Sequence, residues 1–417
     1  MQCGSRRHSA RSTFYVTGMP TGMKLLRVAF LLTALGSLAA EAQEAGWDSS
    51  SVRTVAPGVV YKRLVQNSGP WRINLLEVDL STPGISIRAM KAKDAFVGRE
   101  TVSSIAARYK GGGTVAGAVN GDFFNVRTGE SENNVVIEGE LSKGTTVSDS
   151  PYDKFNAAHS QILFDYKNHA YIERLRLNAF VRQGARSMHL DGINYLPPDT
   201  SVMVVYTSAM GDSSLPDTSG RHPTLLPLAV AARKADTTWF KIAGTIIEGG
   251  RHALNGGAML AATGTRRDEV RAVARRGGTI KMVVGFTPDH GRLRTVVGGW
   301  PVIVNDGKSV AEYADFVEGT FPRFSAQRHP RTAAGISKDG KTLYLMTVDG
   351  RRESEGGMTL VELAQTMIRL GAYEAMNFDG GGSTTMVVEG KLVNRPSDQT
   401  GERPVGSALL VVIEPRN

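Results

Sequence analysis

Arg331-Thr332-Ala333-Ala334-Gly335-Ile336-Ser337-Lys338-Asp339-Gly340-Lys341-Thr342-Leu343-Tyr344-Leu345-Met346-Thr347-Val348-Asp349 holds two apolar runs on either side of Asp339-Gly340. Asp-Gly between such runs signals a two-residue hairpin turn whose twist matches the strands it joins. That turn places Arg331 opposite Val348, and so beside Asp349 at one end of the sheet. The chain then leaves through a loop over 350–357 and enters a helix. Thr359 and Glu362 have capping-box spacing, and Leu360, Leu363, Ala364, Met367 and Ile368 form one apolar stripe. Gly371 closes the helix just beyond its C-cap. The next strand, over 373–378, delivers Asp379 into Gly380-Gly381-Gly382-Ser383-Thr384. The order is strand, helix, strand. If the two strands run parallel in one sheet, Asp349 and Asp379 emerge at the same carboxyl edge, where open sheets place their ligands.

Working outward, residues 52–90 alternate apolar and polar positions around a Thr82-Pro83-Gly84 turn and read as a strand meander. Residues 101–109 form a short helix opened by Thr101. A strand over 115–119 runs directly into Asn120-Gly121-Asp122-Phe123-Phe124, so a third carboxylate follows a strand end. The middle, about 160–310, is strand-rich, and 211–223 is a Ser/Pro/Asp-rich loop. These elements predict an α+β fold with a mixed β-sheet core, flanking helices and a strand-rich N-terminal extension over 43–95.

The 417 residues carry a formal charge of +9, with 41% hydrophobic and 21% charged residues, a composition of a packed globule rather than a disordered chain. Lys24 and Arg27 precede an apolar run over 28–38, and Ala40-Glu41-Ala42 supplies the small residues of a cleavage site. Residues 1–42 therefore read as a signal peptide cut before Gln43, with Met23 an alternative start. The apolar run is short for a membrane span, so the mature chain is expected to be secreted or periplasmic, with no stable membrane span. Removing five Lys/Arg (Arg6, Arg7, Arg11, Lys24, Arg27) and Glu41 lowers the charge from +9 to +5. The basic residues are scattered, without a nucleic-acid-binding motif, so nucleic acid is not the expected partner. The single cysteine, Cys3, lies in the removed segment, which leaves no disulfide and no thiol nucleophile.

Three glycines in a row admit positive φ and close approach to the backbone, and successive N–H groups in such a turn suit phosphate or sugar oxygens. Ser383 and Thr384 add hydroxyls. A glycine triplet alone is more often a plain turn, but an acid directly before it strengthens the functional reading. Arg331 and Arg351 offer guanidinium forks for a phosphate, against the plainer alternative of surface ion pairs. His329 has the chemistry of a general acid or base, although a lone histidine is more often structural. Asn120 and Asp122 either bind sugar hydroxyls or end a strand. No His/Cys cluster has transition-metal spacing. No cofactor is called for, and the aspartates leave a hard divalent cation open. Gly-x-Ser-x-Gly is absent, so a serine-hydrolase elbow is not supported.

Taken in order, Val119-Asn120-Gly121-Asp122-Phe123-Phe124, Arg328-His329-Pro330-Arg331-Thr332-Ala333, Val348-Asp349-Gly350-Arg351, Asn377-Phe378-Asp379-Gly380-Gly381-Gly382-Ser383-Thr384, Val393-Asn394-Arg395-Pro396-Ser397-Asp398 and Gly401-Glu402-Arg403-Pro404-Val405 resemble the phosphodiester glycosidase family. The resemblance covers about 96–414, which it implies is the catalytic domain. Gly298-Gly299-Trp300-Pro301 departs from the family's glycine run, and Phe378 stands where Leu is more usual. The resemblance implies hydrolysis of a sugar-1-phosphodiester. It makes Asp379 the first candidate for nucleophile or general base and Asp349 the second. It implies substrate binding by Asn120, Asp122, Arg331, Thr332, Arg351, Gly381, Gly382, Ser383, Thr384 and Arg403. Arg331 and Arg351 would clamp the departing phosphate. The alternatives are a non-catalytic module that binds envelope glycan or exopolysaccharide, and a glycosidase acting on unphosphorylated polysaccharide.

Overall fold

The computed structural model describes residues 46–146, 159–214 and 220–415. The signal-peptide reading of 1–42 falls outside them. Strand accounts for 46% of the structure and helix for 14%, so the architecture is predominantly β. The expected mixed core is almost wholly antiparallel. The exception among the described residues is the short parallel pairing of Gly192–Ile193 with Met203–Thr207.

The sheet that carries Asp349 and Asp379 has eight strands. Their order is Ser49–Ala56, Val59–Gln66, Trp71–Asp79, Thr342–Val348, Arg331–Ser337, Ala372–Asn377, Val302–Asn305 and Lys308–Ser309. Three strands from the segment 43–95 thus belong to this sheet, with Asp79 opposite Thr342. The hairpin pairs Arg331 with Val348, as its sequence implies. Its turn differs from the two-residue form. Only Gly340 takes positive φ (71°), and its N–H donates to the Ser337 carbonyl. The Asp339 carboxylate accepts from the Ser337 hydroxyl and the Lys341 N–H, which favours a longer loop over 338–341. That loop is centred on the same peptide bond, so the register is unchanged.

Thr342–Val348 and Ala372–Asn377 each pair antiparallel with Arg331–Ser337, which lies between them. They therefore run in the same direction without touching. The direct parallel pairing assumed from the sequence is corrected, yet its consequence survives: Asp349 and Asp379 leave the sheet at one edge, where Arg331 begins the intervening strand. Helix Leu360–Arg369 makes this crossover. Thr359 accepts from the Glu362 N–H and the Glu362 carboxylate accepts from the Thr359 N–H, so the capping box forms. Its buried stripe, Leu360, Leu363, Ala364 and Met367, packs with Ile73, Leu75, Met346 and Val348 from one face of the sheet.

The opposite face packs on a five-stranded sheet ordered Lys391–Leu392, Met386–Val388, Thr114–Asn120, Ser407–Ile413, Ile85–Lys91. Leu76, Val78, Ile336, Leu345 and Met376 meet Ile87, Val119, Met386, Leu409 and Val411 in one core. Thr114–Asn120 ends where Arg331–Ser337 begins, which brings Asn120 against the Asp379 turn. The middle of the chain builds a nine-stranded sheet backed by helix Arg267–Arg276 and a further five-stranded sheet. That helix lies in a segment whose sequence read as strands. No helix among the described residues is long and apolar enough to cross a membrane.

Candidate active site

Past the strand Ala372–Asn377 the chain makes a single 3-10 turn, Gly381–Ser383, seated on the neighbouring strand by the Gly381 N–H, which donates to the Pro330 carbonyl at 2.9 Å. Arginines explain two of its glycines. A Cβ at Gly381, whose φ is +59°, would come within 2.9 Å of Arg351 Nη2. One at Gly382 would lie 2.1 Å from Arg403 Nη2 and 2.2 Å from Asp398 Oδ1. The triplet thus lets two guanidinium groups rest on the backbone, a role the sequence did not reveal. Arg403 is held by Asp398 through bonds of 2.8 and 3.0 Å. Arg351 has no carboxylate within ion-pair distance among the described residues. Its Nη1 reaches the Ser397 hydroxyl at 3.5 Å, and the residue is exposed.

Asp379 is held from both sides. Its N–H donates to the Gly121 carbonyl at 3.2 Å, and its carbonyl accepts from Asn120 Nδ2 at 2.7 Å. Asn120 Oδ1 accepts from the Thr332 hydroxyl (2.7 Å) and the Thr385 N–H (3.1 Å). Asn120 and Thr332 are fully buried, so they brace the turn across two sheets rather than face a ligand. The Asp379 carboxylate accepts from the Gly380 N–H at 2.8 Å. Burial pushes its pKa up to about 6, opposed by the Ser383 hydroxyl, the Gly380 N–H and the charge of Arg403. Part of the residue remains open to solvent.

Asp349 lies farther along the same edge. Its Oδ1 accepts from the Arg395 N–H at 3.0 Å, and burial raises its pKa to about 6. Next to it Glu355 is bound by Arg352 and Arg395, at 3.0 and 2.6 Å. Asn394 also bonds the Asp349 carboxylate, and its Nδ2 donates to the Thr384 carbonyl at 3.0 Å. Asp349 is thereby connected to the end of the glycine turn.

Arg331 is almost wholly buried. It donates to the carbonyls of Met358 (2.9 Å), Phe324 (2.6 Å) and Gln327 (3.2 Å), and its guanidinium lies 4.9 Å from the Phe324 ring. Burial, then the charge of Arg351, lowers its pKa to about 9. His329 Nε2 pairs with the Arg323 carbonyl at 3.0 Å. Burial and the nearby arginines lower its pKa, favouring the neutral ring. Asp122 spends both oxygens on Asn133, at 2.9 Å to the backbone N–H and 2.7 Å to Nδ2, and burial raises its pKa to about 7. A Cβ at Gly298 would lie 2.5 Å from its Oδ1.

Trp300 begins beside the site, its N–H donating to the Asn377 carbonyl at 2.8 Å. It stacks on Phe324 with centroids 4.9 Å apart and meets Phe123 edge-on at 5.7 Å. This aromatic wall and the Asp398–Arg403 pair escape local sequence reading because their members come from distant segments. Among the described residues, no three His, Cys, Asp or Glu side chains converge as a metal site.

The sequence profile of the phosphodiester glycosidase family matches residues 228–412, a span that contains Arg331, Asp349, Arg351, Asp379 and Arg403 but not Asn120 or Asp122. A bovine (Bos taurus) N-acetylglucosamine-1-phosphodiester alpha-N-acetylglucosaminidase is 32% identical over 170 residues, covering 37% of this chain and 30% of the relative. The mouse (Mus musculus) protein of the same name is 30% identical over 193 residues, covering 42% and 35%. The chain thus spans about a third of the length of these curated relatives. In fold, it resembles a hypothetical protein from Synechocystis with a TM-score of 0.72 at 20% identity, over 89% of this chain and 65% of the other. Residues 228–412 of this chain are thus similar to the phosphodiester glycosidase family.

Proposed function

We propose that this chain is an exported hydrolase that cleaves a sugar-1-phosphodiester at the edge formed by Asp379, the glycine turn and Arg351. The observation that carries this reading is the pairing of a deeply set carboxyl group with a guanidinium that no carboxylate among the described residues neutralises, across a turn of bare backbone. The names of the bovine and mouse relatives support the same bond class. Glycoside cleavage passes through an oxocarbenium-like state, and Asp379 is the carboxylate that meets it, as nucleophile or as base for a water. A phosphate leaving group needs little protonation, but its negative charge must be held. Arg351, lying over Gly381, supplies the positive charge for it. Arg331 acts from beneath by fixing the strand on which the turn sits.

The test is release of phosphomonoester from a panel of sugar-1-phosphodiesters, followed by phosphorus NMR. The wild-type chain should release product and Asp379→Asn should not, with an unchanged melting temperature. A fully active Asp379→Asn sinks the assignment. Cleavage of unphosphorylated glycosides at an equal rate would replace the substrate class.

A further inference from the structure

The nine-stranded sheet has one face on helix Arg267–Arg276 and another that remains partly open. Side chains alternate along a strand. In Arg176–Gln183, Leu177, Ala179 and Val181 are buried toward the helix, while Asn178, Phe180 and Arg182 point the other way. The register carries this outward row across the neighbours. Arg182 stands opposite Lys281 and Phe180 opposite Val283, while Lys281 is opposite Trp239 and Lys241 opposite Thr279. His189 flanks Phe180 on the next strand.

These side chains pair rings with cations. The Lys281 ammonium lies 5.5 Å from the Trp239 centroid, Arg182 lies 5.9 Å from Phe180, and His189 meets Phe180 edge-on at 5.4 Å. Phe180, Trp239 and Lys281 are half-buried, and Arg182 and Lys241 are exposed. Among the described residues, no carboxylate lies within ion-pair distance of Arg182, Lys241 or Lys281. Of the acids at the margin, Asp191 pairs with Arg266 and lies 3.5 Å from His189, and Asp236 accepts from the Thr237 hydroxyl.

We propose that this face binds a linear acidic polysaccharide. A flat ring offers the C–H face of a sugar an apolar surface, and cations beside it that have no carboxylate partner among the described residues recognise carboxylate or phosphate groups on the same chain. The strands bearing Phe180 and Trp239 are two apart, about 10 Å, which suits successive contacts along an extended polymer. The choice of a glycan over single-stranded nucleic acid, which uses similar rings and charges, rests on the proposed sugar-phosphodiester activity.

The test is affinity electrophoresis of the full chain in gels containing polygalacturonate, with dextran and a twenty-residue oligothymidylate as comparison ligands. Polygalacturonate should retard the protein and dextran should not. Combined Arg182→Gln, Lys241→Gln and Lys281→Gln should weaken retardation about tenfold or more, and Trp239→Ala about tenfold. Trp239→Phe should retain most of the binding, which guards against a folding defect. Unchanged retardation of a folded Trp239→Ala would overturn the proposal, because charge alone would then account for the binding. So would tighter binding of the oligothymidylate, or equal retardation by dextran. Cleavage of a small methyl sugar-1-phosphodiester should be the same in every variant. Failure of the wild type on that small substrate would sink the proposed activity and leave the binding measurement intact.

Discussion

Arg331 and Arg351 carry the same charge at the same edge of the sheet, and their surroundings separate them. Arg331 gives its donors to three backbone carbonyls, whereas Arg351 lies exposed over Gly381. Replacing Arg331 with Met should destabilise the fold by about 2–4 kcal/mol, because buried acceptors lose a charged donor. Thermal unfolding would register this. Arg351→Gln should leave the melting temperature nearly unchanged and lower kcat/KM by roughly 10²–10³ if it holds developing charge. The reverse pattern would exchange their roles. The sequence made both arginines candidates because residue type shows charge, not where the donors are spent. Asn120 and Thr332 make the same point: polar groups that read as ligand contacts are bonded to one another. Asp379 yields a prediction in pH. If turnover needs its carboxylate, as proposed, the rate should fall as pH drops through about 6. Asp349 titrates in the same range, so Asp349→Asn decides between them. If the acid limb persists in that variant, it belongs to Asp379.

At the scale of elements, the glycine turn and the crossover helix differ in what a mutation disturbs. Gly382→Ala would drive a methyl group into the Arg403–Asp398 pair, at 2.1 and 2.2 Å. The turn must then shift, and a displacement of about 1 Å at a reacting centre costs on the order of 10²-fold in rate. Thr359→Ala removes one half of the capping box and should cost about 1 kcal/mol of stability, with activity unchanged. Steady-state kinetics and thermal unfolding on the two variants would separate these effects. Both the hairpin and this helix were legible in the sequence because their information is local: a turn dipeptide, a cap spacing, an apolar stripe. The hairpin's register was readable even though its turn type was not, since loops centred on one peptide bond give the same pairing. The order of strands was not legible. Trp71–Asp79 joins Thr342–Val348 through contacts between distant segments, and no local pattern encodes that choice.

For the whole molecule, burial raises the pKa of Asp122 to about 7 and those of Asp349 and Asp379 to about 6. A carboxyl group whose folded pKa lies above its unfolded value contributes stability that is complete below the unfolded value and is lost as pH rises through the folded one. Lowering the pH from 8 to 5.5 should therefore let these three groups raise the melting temperature, by roughly 2–4 °C for each kcal/mol gained, with His329, whose pKa burial lowers, acting in the opposite sense. In Asp122→Asn the rise should be smaller, and an equal rise would remove Asp122 from the account. The β-rich character was visible in the alternating segments, but the near absence of parallel pairing was not. Strand direction depends on which neighbours meet, and the strand–helix–strand order at 342–377 suits a parallel pair equally well.

The place of Ser407–Ile413 between Thr114–Asn120 and Ile85–Lys91 has a consequence during synthesis. The two flanking strands emerge early and remain without the partner that joins them until residues 407–413 leave the ribosome. Until then their facing backbone edges are open to other chains, a state that invites aggregation.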